Sequence, residues 1–166
     1  MIVSIGLLAL VTLQRLGELW LAARNTRRLL ARGAHEVGRD HYPLIILLHA
    51  SWLAGLWWLA WDRPVNAWLA GLFLLVEALR VWTLLSLGER WTTRIIVLPG
   101  APLVRRGPYR FLRHPNYLVV IFELALLPLV FDMPTYAATF TLINAGVLLV
   151  RVRAETAALA EATPPP

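Results

Sequence analysis

Asn66–Leu87 reads NAWLAGLFLLVEALRVWTLLSL, twenty-two residues whose only ionisable side chains are Glu77 and Arg80. A helix needs about 20 predominantly apolar residues to cross the hydrocarbon core of a bilayer, so this stretch alone points to a membrane span. Ile2–Ala23 and Pro43–Trp61 meet the same length. Tyr117–Phe131 and Thr135–Val150 are shorter and are separated only by Asp132, Met133 and Pro134, as in a helical hairpin or two tilted spans. Composition agrees: 58% of the 166 residues are hydrophobic, 16% are charged and the mean hydropathy is +0.62. A soluble domain runs nearer half apolar and about a quarter charged. The expectation is an all-α integral membrane protein, a single domain over 1–166. It has about five transmembrane helices, a cap over 88–116 between the third and fourth, and a C-terminal helical hairpin.

Ile2–Ala23 lacks the basic start of a secretory signal, and Gln14, Arg15 and Glu18 interrupt its apolar centre, so it reads as a mature helix. Cysteine is absent, which excludes disulfides, thiolate metal sites and a Cys nucleophile. The formal net charge is +6, and every basic residue apart from histidine is an arginine. Thirteen of the sixteen arginines fall in the first connection, the cap and the C-terminal tail. With five spans, the positive-inside rule puts these on the cytoplasmic side and the N-terminus outside. Trp57, Trp58, Trp61 and Trp68 surround the short Asp62–Pro64 turn, as an outer interfacial belt would. The only low-complexity run is the terminal Pro164–Pro166.

Leu87–Asn116 contains Pro99, Gly100, Pro102, Gly107, Pro108 and Pro115, which argue against a continuous helix. Its apolar and aromatic residues argue for a folded cap. The densest constellation is GPYRFLRHPNY, residues 107–117. Pro115 suits the first turn of a helix, whose free N-terminal donors favour an anion or hydroxyls. His114, Asn116 and Tyr117 add polar side chains there. On spacing alone this run is equally a basic interfacial turn with a structural histidine. Arg151 and Glu155, four apart, share a helix face and read as a surface ion pair or as an anion-and-hydroxyl site. Inside the apolar stretches, Arg15–Glu18 and Glu77–Arg80 are i, i+3 pairs able to neutralise each other, and Glu123 stands alone. Intramembrane charges face the bundle interior and are functional candidates by default. The four histidines, His35, His41, His49 and His114, show no metal-ligand spacing, so no metal is expected. No phosphate loop, dinucleotide fingerprint or serine nucleophile elbow is present.

The run 107–117, followed by the apolar hairpin and then by Arg151-Val-Arg-Ala-Glu155, resembles the isoprenylcysteine carboxyl methyltransferase family of integral membrane enzymes. The likeness covers roughly Arg94 to Leu159 and rests on the RHPxY core, the GPY ahead of it and the distant RxxxE. Arg15–Glu18, Ala23–Asn25, His41–Pro43 and Trp91–Arg94 are similar to a small bacterial branch associated with O-methylation of lipophilic polyketides such as alkylpyrones. The resemblance implies S-adenosyl-L-methionine as cofactor, with S-adenosyl-L-homocysteine as product, in a cytoplasm-facing pocket beneath the cap. By motif match the pocket takes Tyr109, His114, Pro115, Asn116, Tyr117 and Glu155, with backbone of Ala101, Leu103 and Val104. Ala101 stands where eukaryotic members carry a histidine. Arg151 would orient the anionic oxygen of the acceptor. A carboxylate or acidic enol needs no strong base, whereas a phenol would need one, for which Glu123 and His41 are candidates. The implied partners are a lipophilic acceptor and membrane lipids rather than nucleic acid, in a bacterial inner membrane. Two other readings are a phospholipid N-methyltransferase and a non-catalytic membrane scaffold.

Overall fold

The computed structural model describes residues 1–162, with side chains to residue 160; Pro164–Pro166 lies outside them. Five helices form: α1 (Ile2–Ala31), α2 (Tyr42–Leu59), α3 (Ala67–Leu87), α4 (Pro115–Val130) and α5 (Pro134–Ala162). Two three-residue strands, β1 (His35–Val37) and β2 (Ile95–Val97), lie in the connections after α1 and α3. The all-α membrane architecture expected from the sequence is present. α1, α2, α3 and α5 are each long and apolar enough to cross a bilayer, while α4 is a shorter apolar helix of 16 residues.

Local chemistry explains the boundaries. Asn66 caps α3, its Oδ1 accepting from the backbone N–H of Trp68 at 3.1 Å and Leu69 at 3.2 Å. Pro115 opens α4. Asp132, at φ 56°, makes the left-handed turn into α5, and Asp132 N–H donates to the Leu129 carbonyl at 3.0 Å. Two helices outlast their apolar runs. α1 continues eight residues beyond Ala23, so Arg24, Arg27 and Arg28 ride on a helix rather than in a loop. α5 continues past Val150 to Ala162, which puts Arg151 and Glu155 on the same unbroken helix as the hairpin's second arm. Arg, Ala and Glu are strong helix formers, so the end of an apolar run is not the end of a helix.

The shortest helix is the innermost. α4 packs between α3 and α5, and its Leu124, Leu127 and Val130 are fully buried in one core with Leu8, Leu56 and Phe73. Its neighbours turn leucines outward instead: Leu72, Leu74, Leu75 and Leu85 of α3 are exposed, as suits a surface meeting lipid. A helix of 16 residues is about 24 Å long, which suffices for a helix shielded from lipid by its neighbours.

The intramembrane charges join into one network across α1, α3 and α4. Arg80 Nη1 donates to both oxygens of Glu123, at 3.0 and 2.7 Å, while its Nε and Nη2 donate to Glu18. Arg15 Nη2 donates to Glu123 at 2.6 Å, and Gln14 bridges Glu18 and Glu77. Arg15 and Glu18 do pair, at 3.4 Å. Arg80 instead pairs across helices with Glu18 and Glu123, and Glu77 takes the Gln14 amide.

Beyond the cap end of α1, β1 and β2 pair antiparallel with His35 opposite Val97 and Val37 opposite Ile95. Ala154 and Ala158 of α5 pack on this ladder against Ile95, Val97 and Val37, which fixes the rotation of the helix that carries Arg151 and Glu155. Asn25 of α1 donates to the carbonyls of Gly88 at 3.1 Å and Trp91 at 2.9 Å, tying the start of the cap to the bundle. The GPY turn is seated by close approach. Gly107 has φ 56°, and a Cβ there would lie 2.0 Å from Ser86 Oγ. Gly107→Ala is therefore expected to cost about 2 kcal/mol from left-handed strain and overpacking together, read as a lower thermal midpoint in detergent micelles.

Candidate functional site

Two cavities meet beneath the cap. The larger, about 310 Å³, lies between α1, α2, α4 and α5 and is mostly apolar, with Leu16, Leu19, Ile45, Ile46, Leu53, Val120, Val147 and Leu148 in its wall. The smaller, about 120 Å³, is a polar recess under the cap lined by Arg90, Tyr109, His114, Asn116, Glu155 and neighbours. Trp91, Thr92, Asn116, Tyr117 and Arg151 belong to both walls and form the partition.

Helix geometry assembles the partition. Arg151 and Glu155 sit one turn apart on α5 and face Tyr117 in the first turn of α4. The Tyr117 hydroxyl donates to Glu155 Oε2 and accepts from Arg151 Nε at 3.0 Å. Arg151 Nη2 donates to the Thr93 carbonyl at 2.8 Å. Thr93 Oγ1 and the Tyr42 hydroxyl are hydrogen-bonded at 2.9 Å, which joins the start of α2 to the same cluster. The His114 ring stacks on Tyr117 with centroids 5.3 Å apart, and His114 Nδ1 lies 3.9 Å from Glu155 Oε2. Burial, and then the Glu155 carboxylate, push the Tyr109 hydroxyl above its ordinary range, so it stays a neutral phenol able to donate.

The two sequence motifs, 38 residues apart from Tyr117 to Glu155, thus converge on one site. Tyr109, His114, Asn116, Tyr117, Arg151 and Glu155 all face it. Pro115 is buried at the start of α4 and sets where that helix begins. Ala101, Leu103 and Val104 stand in the loop before the GPY turn and are not among the residues lining the recess. That loop is tethered by Arg90, which donates to the Pro102 carbonyl, and by Arg106 Nε, which donates to the Ser86 carbonyl at 2.7 Å. Glu123 and His41 line neither cavity; both carboxylate oxygens of Glu123 are held by Arg15 and Arg80. Sequence reasoning gives no role to Trp91 in the partition, nor to Tyr42, Thr93, His49 and Asn144 in the larger cavity. Tyr42, Trp91 and Thr93 lie in the His41–Pro43 and Trp91–Arg94 runs that carry the family likeness, which gives them no role; His49 and Asn144 lie in no motif, and only the fold places all five.

Residues 69–161 match the family model described as isoprenylcysteine carboxyl methyltransferase (ICMT), a span that holds nearly all of α3, the cap and both motifs. The chain belongs to the ICMT family. It is also 41% identical over 160 residues to the uncharacterized protein YpbQ of Bacillus subtilis, covering 93% of this chain and 95% of that one. An uncharacterized protein of Haemophilus influenzae is 28% identical over 158 residues, covering 90% and 91%. No solved structure matches the chain. As an ICMT-family member it is an integral membrane protein of methyltransferase type.

Proposed function

We propose that the protein is an S-adenosyl-L-methionine-dependent O-methyltransferase. It acts on an anionic oxygen, a carboxylate or acidic enol, of a lipophilic acceptor such as an isoprenylcysteine or an alkylpyrone. The observation that carries this reading is the position of Arg151, a cation in the partition between an apolar cavity and a polar recess. The residues of the recess fit the cofactor. Asn116 Oδ1 is buried there without a hydrogen-bond partner, and the wall offers both charge signs, Glu155 and Arg90, as a molecule with carboxylate, ammonium and sulfonium groups requires. His114, Asn116, Tyr117 and Glu155 would hold it.

When bound, the cofactor supplies an electrophilic methyl group on a sulfonium that leaves as a neutral thioether. The chain's own residues align and exclude. Arg151 attracts the acceptor's oxygen to the partition and, held by Tyr117 and the Thr93 carbonyl, keeps it there with little freedom left to lose. The apolar wall takes the acceptor's tail and keeps water from the reacting oxygen. An oxygen already ionised needs no proton removed, so the absence of an unpaired base from the partition is no obstacle. In this reading Glu123 supports the cavity floor through Arg80 and does not touch the acceptor. The arginines at the cap end support a cytoplasmic recess with the N-terminus outside.

The test is transfer of labelled methyl from S-adenosylmethionine by purified protein to an alkylpyrone or a prenylcysteine, with phosphatidylethanolamine vesicles alongside. Label in the first two supports the proposal; label only in phosphatidylethanolamine replaces it with N-methylation; no label in any sinks it. Glu155→Ala is expected to weaken S-adenosylhomocysteine binding about 10- to 100-fold, the worth of charge-assisted hydrogen bonds, in a calorimetric titration. An unchanged affinity would remove Glu155 from the cofactor site.

A further inference from the structure

A cavity built only to hold hydrocarbon has no use for buried hydrogen-bond donors. The larger cavity has several. Trp52 on α2 and Asn144 on α5 line it, each 1% exposed, yet Trp52 Nε1 and Asn144 Nδ2 have no hydrogen-bond partner. His49, one turn before Trp52 and half-buried, lines the same wall and makes no side-chain hydrogen bond among the described residues. Donors left unpaired in a membrane interior are costly. They are not glue between helices, because they bond to no neighbouring helix. Of the other polar side chains in the wall, Thr12 accepts from Trp57 Nε1 at 2.9 Å, and Arg15, Glu18 and Arg80 belong to the charge network, while the unpaired Trp91 Nε1 and Asn116 Oδ1 belong to the partition at the cap end.

Asn144 also stands at a defined depth. It shares the cavity face of α5 with Leu148 and Arg151. The seven residues from Asn144 to Arg151 correspond to about 10 Å along the helix axis. Both side chains lean toward the helix N-terminus, which preserves that offset.

We infer that Trp52 and Asn144, flanked by His49, form a second polar subsite in the tail cavity, for an acceptor whose tail carries a hydrogen-bond-accepting oxygen, such as a ketone or ester carbonyl, roughly 10 Å from the oxygen that receives the methyl group. This rests on the O-methyltransferase reading above and narrows its substrate class. A tail of plain hydrocarbon leaves both donors unpaired, whereas one carbonyl at this depth accepts from them. Asn144 and Trp52 are thus specificity-determining residues.

The test uses four hydroxypyrones with equal alkyl tails: one saturated, and three bearing a single ketone near the ring, about eight bonds from the methylated oxygen (the reach of roughly 10 Å), or near the tail end. With the parent protein, kcat/KM for the middle ketone is expected to exceed that for the saturated tail about five- to tenfold, the worth of satisfying buried donors. In Asn144→Leu the ratio is expected to collapse to about one, and in Trp52→Phe, which keeps the ring and loses the N–H, to fall about threefold. Because each variant is read as a ratio of two substrates, loss of folded protein cancels. A saturated tail equal to every ketone in the parent overturns the subsite while leaving methyl transfer intact, as does a ketone preference that both variants keep. Transfer to none of the four by protein that binds S-adenosylhomocysteine overturns the hydroxypyrone reading and the subsite together.

Discussion

Arg151→Ala is expected to lower kcat/KM for methyl transfer about 10²- to 10³-fold, the loss seen when a preorganised charge leaves a reacting oxygen. The dissociation constant of S-adenosylhomocysteine should stay within about threefold, because the remaining recess groups, His114, Asn116 and Glu155, are untouched. The dissociation of the two effects is the informative result. Arg151 donates to Tyr117 and to the Thr93 carbonyl, and those bonds fix the guanidinium without involving the Glu155 carboxylate. Arg151→Lys keeps the charge but cannot hold two acceptors in a fixed fork, so an intermediate rate is expected. Steady-state kinetics beside calorimetry on the same preparations checks both. Equal losses of turnover and of cofactor affinity in Arg151→Ala would move the residue from the acceptor side of the partition to the cofactor side.

Arg80→Met is expected to destabilise the bundle by about 3–5 kcal/mol, the cost of leaving buried charges without their partner. Arg80 is 4% exposed and holds Glu18 and Glu123 at once. Among the described residues, removing it leaves Arg15 as the only cation in the network for Glu18, Glu77 and Glu123. The charge-matched double change Arg80→Met with Glu123→Gln should recover a large part of the loss, because it deletes a pair instead of breaking one. Unfolding in mixed micelles measures both. The Arg80 guanidinium also lies 5.9 Å from the Trp91 ring centroid, and Trp91 belongs to the partition, so the single variant should lose activity below its unfolding transition as well.

Much of this was legible in the sequence, for reasons particular to the residues. Apolar runs of bilayer length announce spans whatever their neighbours are, which is why α1, α2 and α3 were found from hydropathy alone. The RHPNY and RxxxE motifs are local patterns, and their convergence follows from a hairpin between them, short enough at Asp132–Met133 to return the chain beside itself. What stayed hidden depends on distance in sequence. The three-residue strands β1 and β2 are too short to carry a periodic signal, and each is paired only because a segment sixty residues away lies alongside. Arg80 and Glu77 have the spacing of a helical ion pair, but a bidentate grip on Glu18 and Glu123 from two other helices wins over one neighbour on the same helix. Glu123, alone on its helix, offered the sequence no partner at all; the fold supplies two arginines. The apolar run of α5 ends at Val150, but Arg151 and Glu155 read as one helix face beyond it, and the helix continues through them to Ala162 because helix propensity outlasts hydropathy.

The most direct measurement is a map of the purified protein saturated with S-adenosylhomocysteine. The product should occupy the recess under the cap, in contact with Glu155 and Asn116, on the far side of Tyr117 and Arg151 from the apolar cavity. Product lodged elsewhere, or a recess still empty at a concentration that saturates binding, would contradict the shared site.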